Sequence, residues 1–341
     1  MIDIKSYISY ITKYERNVEN LKVGGVNLSK VKCALEGTLD YILFGSTITD
    51  YFELAFWKRS FYEKSQYATW RLHKRFIYEV DDSAVISKLS DKATMYLGLA
   101  PFIRRDQLFT RMTTIDEFKK FCSRHDTFFY KPCGNSCGDG IEKICVEEES
   151  IDTLFHRLAT ENAVLDTPIT QHGVMNTLNS GSVNTIRIFT FRNNDIIYFT
   201  GAALRIGTDS FIDNYSAGGL VCSLNMKTGE TSDEAENYLG QRFSKHPISG
   251  AELKGFHVPN WDDVLKYVFK MASGYELNYV AWDIAVQEDG PELVEANPGG
   301  MINVIQIAGA VPKKKLILKL ENEWRNRKYD KADEYQMVLC E

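Results

Sequence analysis

Three residues with oxygen-bearing side chains, Asp283, Glu295 and Asn297, lie close together in the last part of the chain. The stretch Tyr279–Gln306 around them is typical of two strands joined by a turn at 288–291. Because strand side chains alternate, Glu295 and Asn297 point the same way, and Asp283 can lie across from them. Two carboxylates and an amide oxygen are hard ligands, of the kind that Mg²⁺ combines with water and phosphate. The alternative is an exposed hairpin with ordinary acidic residues.

A second stretch combines a lysine with a loop of small residues. Lys131 ends a predicted strand, and the loop Pro132–Gly140, which includes Gly138, follows it. Glycines allow backbone N–H groups to turn toward a phosphate, and the lysine would supply a positive charge beside it. The pattern is not a Walker-type phosphate loop, since no Gly-Lys-Ser/Thr follows. A plain tight turn is the alternative.

Composition narrows the class of protein. The 341 residues are 44% hydrophobic and 25% charged, with a net charge of −6, which does not favour nucleic-acid binding. No apolar run is long enough to span a bilayer, and the first residues do not resemble a signal peptide. The seven cysteines show no framework spacing, so we expect free thiols and a cytoplasmic protein.

The chain begins with a region that reads as helical. Ile4, Tyr7, Ile8, Ile11 and Tyr14 recur at helical spacing, and aromatic residues alternate with Lys and Arg from 51 to 78. Such alternation can bind nucleic acid, but in an acidic chain it favours amphipathic helices. These helices could also pack against a second subunit.

Helices and strands are mixed after residue 90. The pattern predicts helices from Ser90 to about Leu99, from a capping box at Thr114 to about His125, and over 148–160 and 313–329. It also predicts a helix that Asn260 caps and that runs to about Ser273. It predicts strands at 127–131, 141–146, 163–165, 182–192 and 195–205, with a strand or loop over 101–109. The fold class is therefore α+β, and residues 206–259 read as loops.

The order of these features resembles the ATP-grasp enzymes, and in particular the sugar-transfer-associated ATP-grasp group of bacterial polysaccharide gene clusters. The resemblance spans about Phe52 to Gln306. It depends on the hairpin and on a series of further segments: Asp91-Lys92, Lys131 with its loop, Gln171-His172, 182–188, 213–219, 282–285 and 295–297.

The resemblance implies two α+β lobes that clamp ATP, after an N-terminal helical region at 1–85. The ATP-grasp domain would cover 86–341, with a nucleotide-clamping lobe at about 101–170 and a metal-binding lobe at about 171–341. Asp283, Glu295 and Asn297 would hold Mg²⁺ against the ATP phosphates.

The same resemblance implies which residues bind the nucleotide. Lys92, Lys131 and Gly138 would contact phosphate, while Asp166, Ile169 and His172 occupy the hinge that binds adenine and ribose. Family members often have Glu near position 166, so the match is looser there, and His172 could equally be a structural histidine.

Two arginines on neighbouring predicted strands, Arg187 and Arg205, could stabilise a phosphoryl group or an oxyanion if both point into the cleft. They could instead be cross-strand partners of carboxylates. Amino-acid ligases of the superfamily often carry a catalytic Arg two residues before the first metal carboxylate, where this chain has Ala281. Either of the two arginines then replaces it, or the chemistry differs.

Three functions are compatible with these features. The leading hypothesis is an ATP-dependent carboxylate–amine ligase acting on a sugar acid or nucleotide-linked sugar, with ATP and Mg²⁺ as cofactors. The second is an ATP-grasp kinase that phosphorylates a hydroxyl, which the alanine at 281 favours. The third is a binding protein that keeps the fold without activity.

Overall fold

The structure, a computed structural model, describes residues 17–19, 21–22, 25–134, 140–208, 213, 215, 218–238, 240–307, 309, 311–327 and 334–340. The helix predicted around Ile4–Tyr14 and the predicted phosphate contact Gly138 lie outside this part of the chain. So do Asn214, Ser216 and Ala217 of the segment at 213–219.

The described part of the N-terminal region is helical, as its pattern predicts. Its helices include α1 (Lys30–Phe44), α2 (Ile48–Glu53), α3 (Phe61–Lys64) and α4 (Trp70–Val80). Thr47 begins α2 with a capping box, in which its hydroxyl accepts from the N–H of Asp50 and the Asp50 carboxylate accepts from the N–H of Thr47. No helix in the described ranges is long and apolar enough to cross a membrane.

A four-stranded antiparallel sheet follows two short helices, α5 (Ser83–Leu89) and α6 (Lys92–Gly98). Its strands are β1 (Gln107–Phe109), β2 (Thr127–Pro132), β3 (Glu142–Cys145) and β4 (Ala163–Asp166), in the spatial order β1–β4–β2–β3. Helices α7 (Ile115–Cys122) and α8 (Ile151–Leu158) share a separate core with it, which includes Phe118, Phe121, Phe128 and Leu154.

The larger sheet carries the hairpin. After the short helix α9 (Gly173–Asn176), its strands are β5 (Ile186–Asn193), β6 (Ile196–Ile206), β7 (Leu220–Leu224), β8 (Ala235–Asn237), β9 (Arg242–Phe243), β10 (Tyr279–Gln287) and β11 (Gly290–Pro298). The spatial order is β11–β10–β5–β6–β7–β8–β9, and the last strand, β12 (Gln336–Leu339), pairs in parallel with β6. Helices α10 (Trp261–Gly274) and α11 (Lys314–Arg325) complete the fold.

The two faces of the larger sheet have different partners. Phe189, Phe191, Tyr279 and Ala281 pack in one core with the N-terminal helices, whereas residues of opposite parity such as Trp282 pack in a core with α10. Since side chains alternate along a strand, Arg187 and Asp283 belong to the first face. The candidate site therefore faces the N-terminal helical region.

Two predictions need correction. Residues 206–259 are not only loops, because they contain β7, β8 and β9; the short length of β8 and β9 leaves little periodicity to read. Asn260 precedes α10 but does not cap it with its side chain. Its backbone instead adopts a left-handed conformation, with φ of 54°.

Candidate active site

Asp283 is the centre of the candidate site. It lies directly opposite Glu295 on one side and Arg187 on the other, in antiparallel register. Arg187 donates two hydrogen bonds to its carboxylate, from Nε at 2.7 Å and from Nη2 at 2.6 Å, and Arg205 donates a third at 3.1 Å. Burial alone would raise the pKa of Asp283, yet the two guanidinium groups hold it below its usual range. The carboxylate is therefore ionised and firmly oriented.

A second carboxylate fixes Arg205 from the other side. Arg205 Nη2 donates to Asp213 Oδ1 at 2.5 Å, and Asp213 also accepts from the backbone N–H and hydroxyl of Thr185. The Arg205 side chain is only 7% exposed. Burial would lower the pKa of Arg205, but Asp213 and Asp283 raise it above the ordinary value. The result is a buried charged array that runs from Asp213 through Arg205 to Asp283.

The two other predicted metal ligands lie on β11 beside this array. The amide Nδ2 of Asn297 donates to Asp283 Oδ2 at 3.3 Å, so the amide lies against the carboxylate. Glu295 lies 3.3 Å from the Nζ of Lys92, at the start of α6, and its side chain is 29% exposed. The structure thus brings together six predicted site residues: Asp283, Glu295, Asn297, Arg187, Arg205 and Lys92.

This donor set fits Mg²⁺ only together with an anion. Its carboxylate and amide oxygens are hard ligands, but no group of three or more His, Cys, Asp or Glu side chains in the described ranges is placed to hold a metal alone. The three carboxylates Asp213, Asp283 and Glu295 are already balanced by Arg187, Arg205 and Lys92. A divalent cation would therefore enter with phosphate and water ligands, as Mg²⁺ commonly does.

Lys131 belongs to a second cluster, at the ends of β2 and β4. It forms an ion pair with Asp166, which also accepts from Arg105 Nε at 2.5 Å and from Gln107 Nε2 at 3.0 Å. Asp166 is almost fully buried, and although burial opposes it, Lys131 and Arg105 hold its pKa below the ordinary value. In this structure Asp166 positions Lys131.

One arginine joins the two clusters. Arg105 donates to the carboxylate of Glu292 at 2.9 Å and to the carbonyl oxygens of Leu293 and Val294, the residues just before Glu295. Tyr96 on α6 also donates to the Val294 carbonyl, at 2.8 Å. These contacts tie the small sheet and α6 to the edge strand β11, and they cover backbone groups that an edge strand would leave unpaired.

The remaining predicted nucleotide contacts among the described residues are His172 and Ile169. His172 Nδ1 accepts from the N–H of Val174, and Nε2 lies 3.2 Å from Glu288 in the turn between β10 and β11. Its backbone N–H donates to Val286 at 2.7 Å. These contacts orient the imidazole and are compatible with both roles weighed from sequence. Ile169 is half-buried on the segment between Asp166 and His172.

Sequence reasoning missed two residues that organise the site. Arg105 pairs with residues 61 and 187 positions away, and Asp213 with residues 8 and 28 positions away. Neither stands in a sequence pattern that marks its partner. Asp213 lies in the segment 213–219, on which the family resemblance depends in part. The resemblance does not indicate that Asp213 pairs with Arg205. Arg105 carried no comparable feature.

A comparison with family models finds a match for the second half of the chain. Residues 153–320, just under half of the chain, match the family described as sugar-transfer associated ATP-grasp. Over this range the sequence of the chain is similar to that ATP-grasp family.

Solved structures similar to the chain include an ATP-grasp ligase, a macrocyclase and a synthetase. The ligase PsnB, solved with a variant of its minimal precursor, Mg and ADP, shares 13% identity over 71% of this chain and 62% of its own, with a TM-score of 0.44. The macrocyclase MdnC from Microcystis aeruginosa, bound to its precursor peptide MdnA, shares 13% identity over 73% and 63%, with a TM-score of 0.41. D-alanyl-alanine synthetase A from Vibrio cholerae shares 13% identity over 71% and 66%, with a TM-score of 0.43.

The present chain thus spans less than two thirds of the length of PsnB and of MdnC. No curated protein sequence matches the chain.

Proposed function

We propose that this protein is an ATP-dependent carboxylate–amine ligase. The carboxylate substrate would attack the γ-phosphorus of ATP, giving an acyl phosphate and ADP. An amine would then attack the acyl carbon, and an amide, inorganic phosphate and a proton would result. Similarity to an ATP-grasp family supports this class of reaction.

The observation that carries the proposal is the convergence of Arg187 and Arg205 on Asp283. Negative charge builds on oxygen both when the phosphoryl group is transferred and when the amine attacks the acyl carbon. Guanidinium groups that are already fixed in a buried site stabilise this charge without having to rearrange. Arg187 lies opposite Asp283 in register, so it can supply the cationic group that the alanine at 281 does not. This placement favours the ligase over the kinase that the alanine suggested.

Bound Mg²⁺ would neutralise charge on the β- and γ-phosphates during transfer. Asp283, Glu295 and Asn297 would hold it. Lys92, Lys131 and Gly138 would contact phosphate oxygens, and Asp166, Ile169 and His172 would border the adenine and ribose. In this assignment residues 101–170 form the nucleotide-clamping lobe, residues 171–341 the metal-binding lobe, and residues 1–85 the N-terminal helical region.

We propose the class of substrate from the description of the matched family. A sugar acid or a nucleotide-linked sugar would be one partner and a small amine or amino acid the other, in the assembly of a bacterial surface polysaccharide in the cytoplasm. The matched family is described as sugar-transfer associated, which supports this setting.

Measurement of ADP release with Mg-ATP, over a matrix of sugar acids and amines, tests the proposal. The control is the double variant Asp283→Asn/Glu295→Gln. Turnover that requires one acid and one amine, and that the variant lacks, would establish the ligase. Turnover with a hydroxyl compound alone would support the kinase instead, and absence of ATP binding would contradict both.

A further inference from the structure

A cavity of about 250 Å³ lies between the N-terminal helices and the start of α11, away from the two clusters described above. Among the described residues, four cationic side chains line it and no acidic side chain does. They are Lys64, Arg71, Arg75 and Lys314, and the apolar residues Leu43, Leu72 and Leu318 form part of the wall.

The contacts of the four cations use only part of their hydrogen-bonding capacity. Lys64 pairs with the buried Asp40 at 2.7 Å, and Arg75 donates through Nε and Nη2 to Glu321. Lys314 donates to the Ser65 carbonyl at 2.8 Å. A lysine has three N–H donors and an arginine five, so donors are left over for a ligand.

Arg71 is held toward the cavity by the chain around it. It donates to the carbonyls of Tyr41 and Ile42 at the end of α1. Gly45, with φ of +69°, leaves the space in which this side chain lies: a Cβ there would stand 2.3 Å from the Cβ of Arg71 and 2.8 Å from its Nε. The guanidinium thus has a fixed place on the cavity wall.

The start of α11 adds positive potential. This helix of 12 residues has no acidic residue in its first turn and no side-chain cap, and Lys313, Lys314 and Lys315 stand there in sequence. Cations at the positive end of a helix dipole are electrostatically unfavourable, and an anion would relieve the repulsion. The four lining cations outnumber the two carboxylates that pair with them, Asp40 and Glu321.

We infer that this cavity binds the phosphate group of an organic phosphate. The phosphate would accept from Lys64, Arg71 and Lys314, and the organic part would pack on Leu43, Leu72 and Leu318. The small volume suits a phosphate monoester rather than a nucleotide. Leu43 and Leu318 are exposed at the cavity, by 57% and 40%, so the ester could be a soluble molecule or a lipid head group.

Calorimetry on the full chain tests the inference. We expect phenyl phosphate to bind in a ratio of one to one at fixed ionic strength, with saturating Mg-ATP present to fill the nucleotide site. Lys314→Gln should weaken binding about tenfold, the effect of losing one charge-assisted hydrogen bond. Lys315→Gln is the matched control, because this neighbouring lysine carries the same charge but does not line the cavity, and its effect should stay below about threefold.

Equal losses in the two variants would overturn the inference, because they would show a diffuse attraction instead of a site. Loss of binding when Mg-ATP is added would also overturn it. The double variant Asp40→Asn/Lys64→Gln removes the charge of one lining cation together with the charge of its buried partner. It should bind phenyl phosphate more weakly, and thermal unfolding should show that it is folded.

Co-sedimentation of the protein with phosphatidic acid vesicles, compared with phosphatidylcholine vesicles, distinguishes a lipid head group from a soluble phosphate ester. Binding to phosphatidic acid that Lys314→Gln abolishes indicates a lipid head group, and binding of phenyl phosphate alone indicates a soluble ester. Absence of both contradicts the inference. Since nothing here depends on ligase turnover, it can fail while the proposed function stands, and the reverse.

Discussion

Arg187 and Asp283 face each other on adjacent strands, and the arginine donates to both oxygens of the carboxylate, at 2.7 and 2.6 Å. Arg205 reaches the same carboxylate from the next strand. Hydrogen bonds therefore join Asp283, the acidic group suited to the metal, to Arg187 and Arg205, the cationic groups suited to phosphoryl transfer. A change at one of them is expected to alter the others.

Arg187→Lys should reduce kcat/KM strongly with a modest effect on folding. A lysine keeps the charge but cannot make the two-point contact with Asp283, so about 2 to 4 kcal/mol of transition-state stabilisation is at stake, or roughly 30- to 1,000-fold in rate. ADP release measures the change. Arg192→Lys is the matched control, because Arg192 lies on the same strand but contacts Asn278 and backbone carbonyls near α10 instead. Equal losses of activity in both variants would contradict the role of Arg187.

Lys131→Met should weaken Mg-ATP binding about tenfold or more, because the variant lacks the charge that would contact phosphate. Asp166 retains Arg105 and Gln107 as partners, so the fold should persist. The measurement is a calorimetric titration with Mg-ATP. Lys143→Met serves as the control, since Lys143 lies opposite Phe129 on the neighbouring strand and is exposed. If Lys131→Met bound Mg-ATP with unchanged affinity, Lys131 would not be a nucleotide contact.

His73 should make the protein less stable in acid. It is buried, its Nε2 lies 3.0 Å from the Tyr279 hydroxyl, and burial lowers its pKa to about 3. Above the unfolded pKa of about 6.5 the histidine is neutral in both states, and its protonation does not reduce the free energy of unfolding. As the pH falls below that value, only the unfolded state takes up the proton, so the free energy of unfolding decreases. Between pH 7.5 and 5 this group alone should cost about 2 kcal/mol of unfolding free energy.

Urea unfolding at the two pH values tests this expectation through a difference. His73→Gln should lose less stability between pH 7.5 and 5 than the unchanged protein does, whatever its stability at either pH. The exposed His156 on α8, changed to Gln, should leave the difference as it was. Equal pH dependence in all three proteins would show that His73 is not the group responsible.

How far the sequence predicts the structure depends on how local each feature is. The hairpin and the capping box at Thr114 follow from neighbouring residues, and the structure confirms that Asp283 lies opposite Glu295. The partners of Arg105 lie 61 and 187 positions away, at Asp166 and Glu292. Such pairs depend on how the two sheets meet, which no local pattern records.

The alanine at position 281 can also be explained only in three dimensions. Ala281 is fully buried and lies opposite Phe189 and Asn297. The backbone of Gly300 lies so close to Ala281 that a Cβ atom added to Gly300 would be 2.6 Å from the Cβ of Ala281. No space is left for an arginine at this position in the present packing, so the cationic group has to come from another strand.

Ala281→Arg should therefore destabilise the protein by about 3 kcal/mol or more, since it overpacks the core and buries a charge beside Gly300. Introduced into Arg187→Lys, it should fail to restore ADP release. Urea unfolding and the activity assay measure the two effects, and Ala84→Arg, at an exposed position on α5, controls for the added charge. If Arg187→Lys/Ala281→Arg folded normally and regained activity, position 281 could hold the catalytic arginine, and Arg187 would not be its replacement.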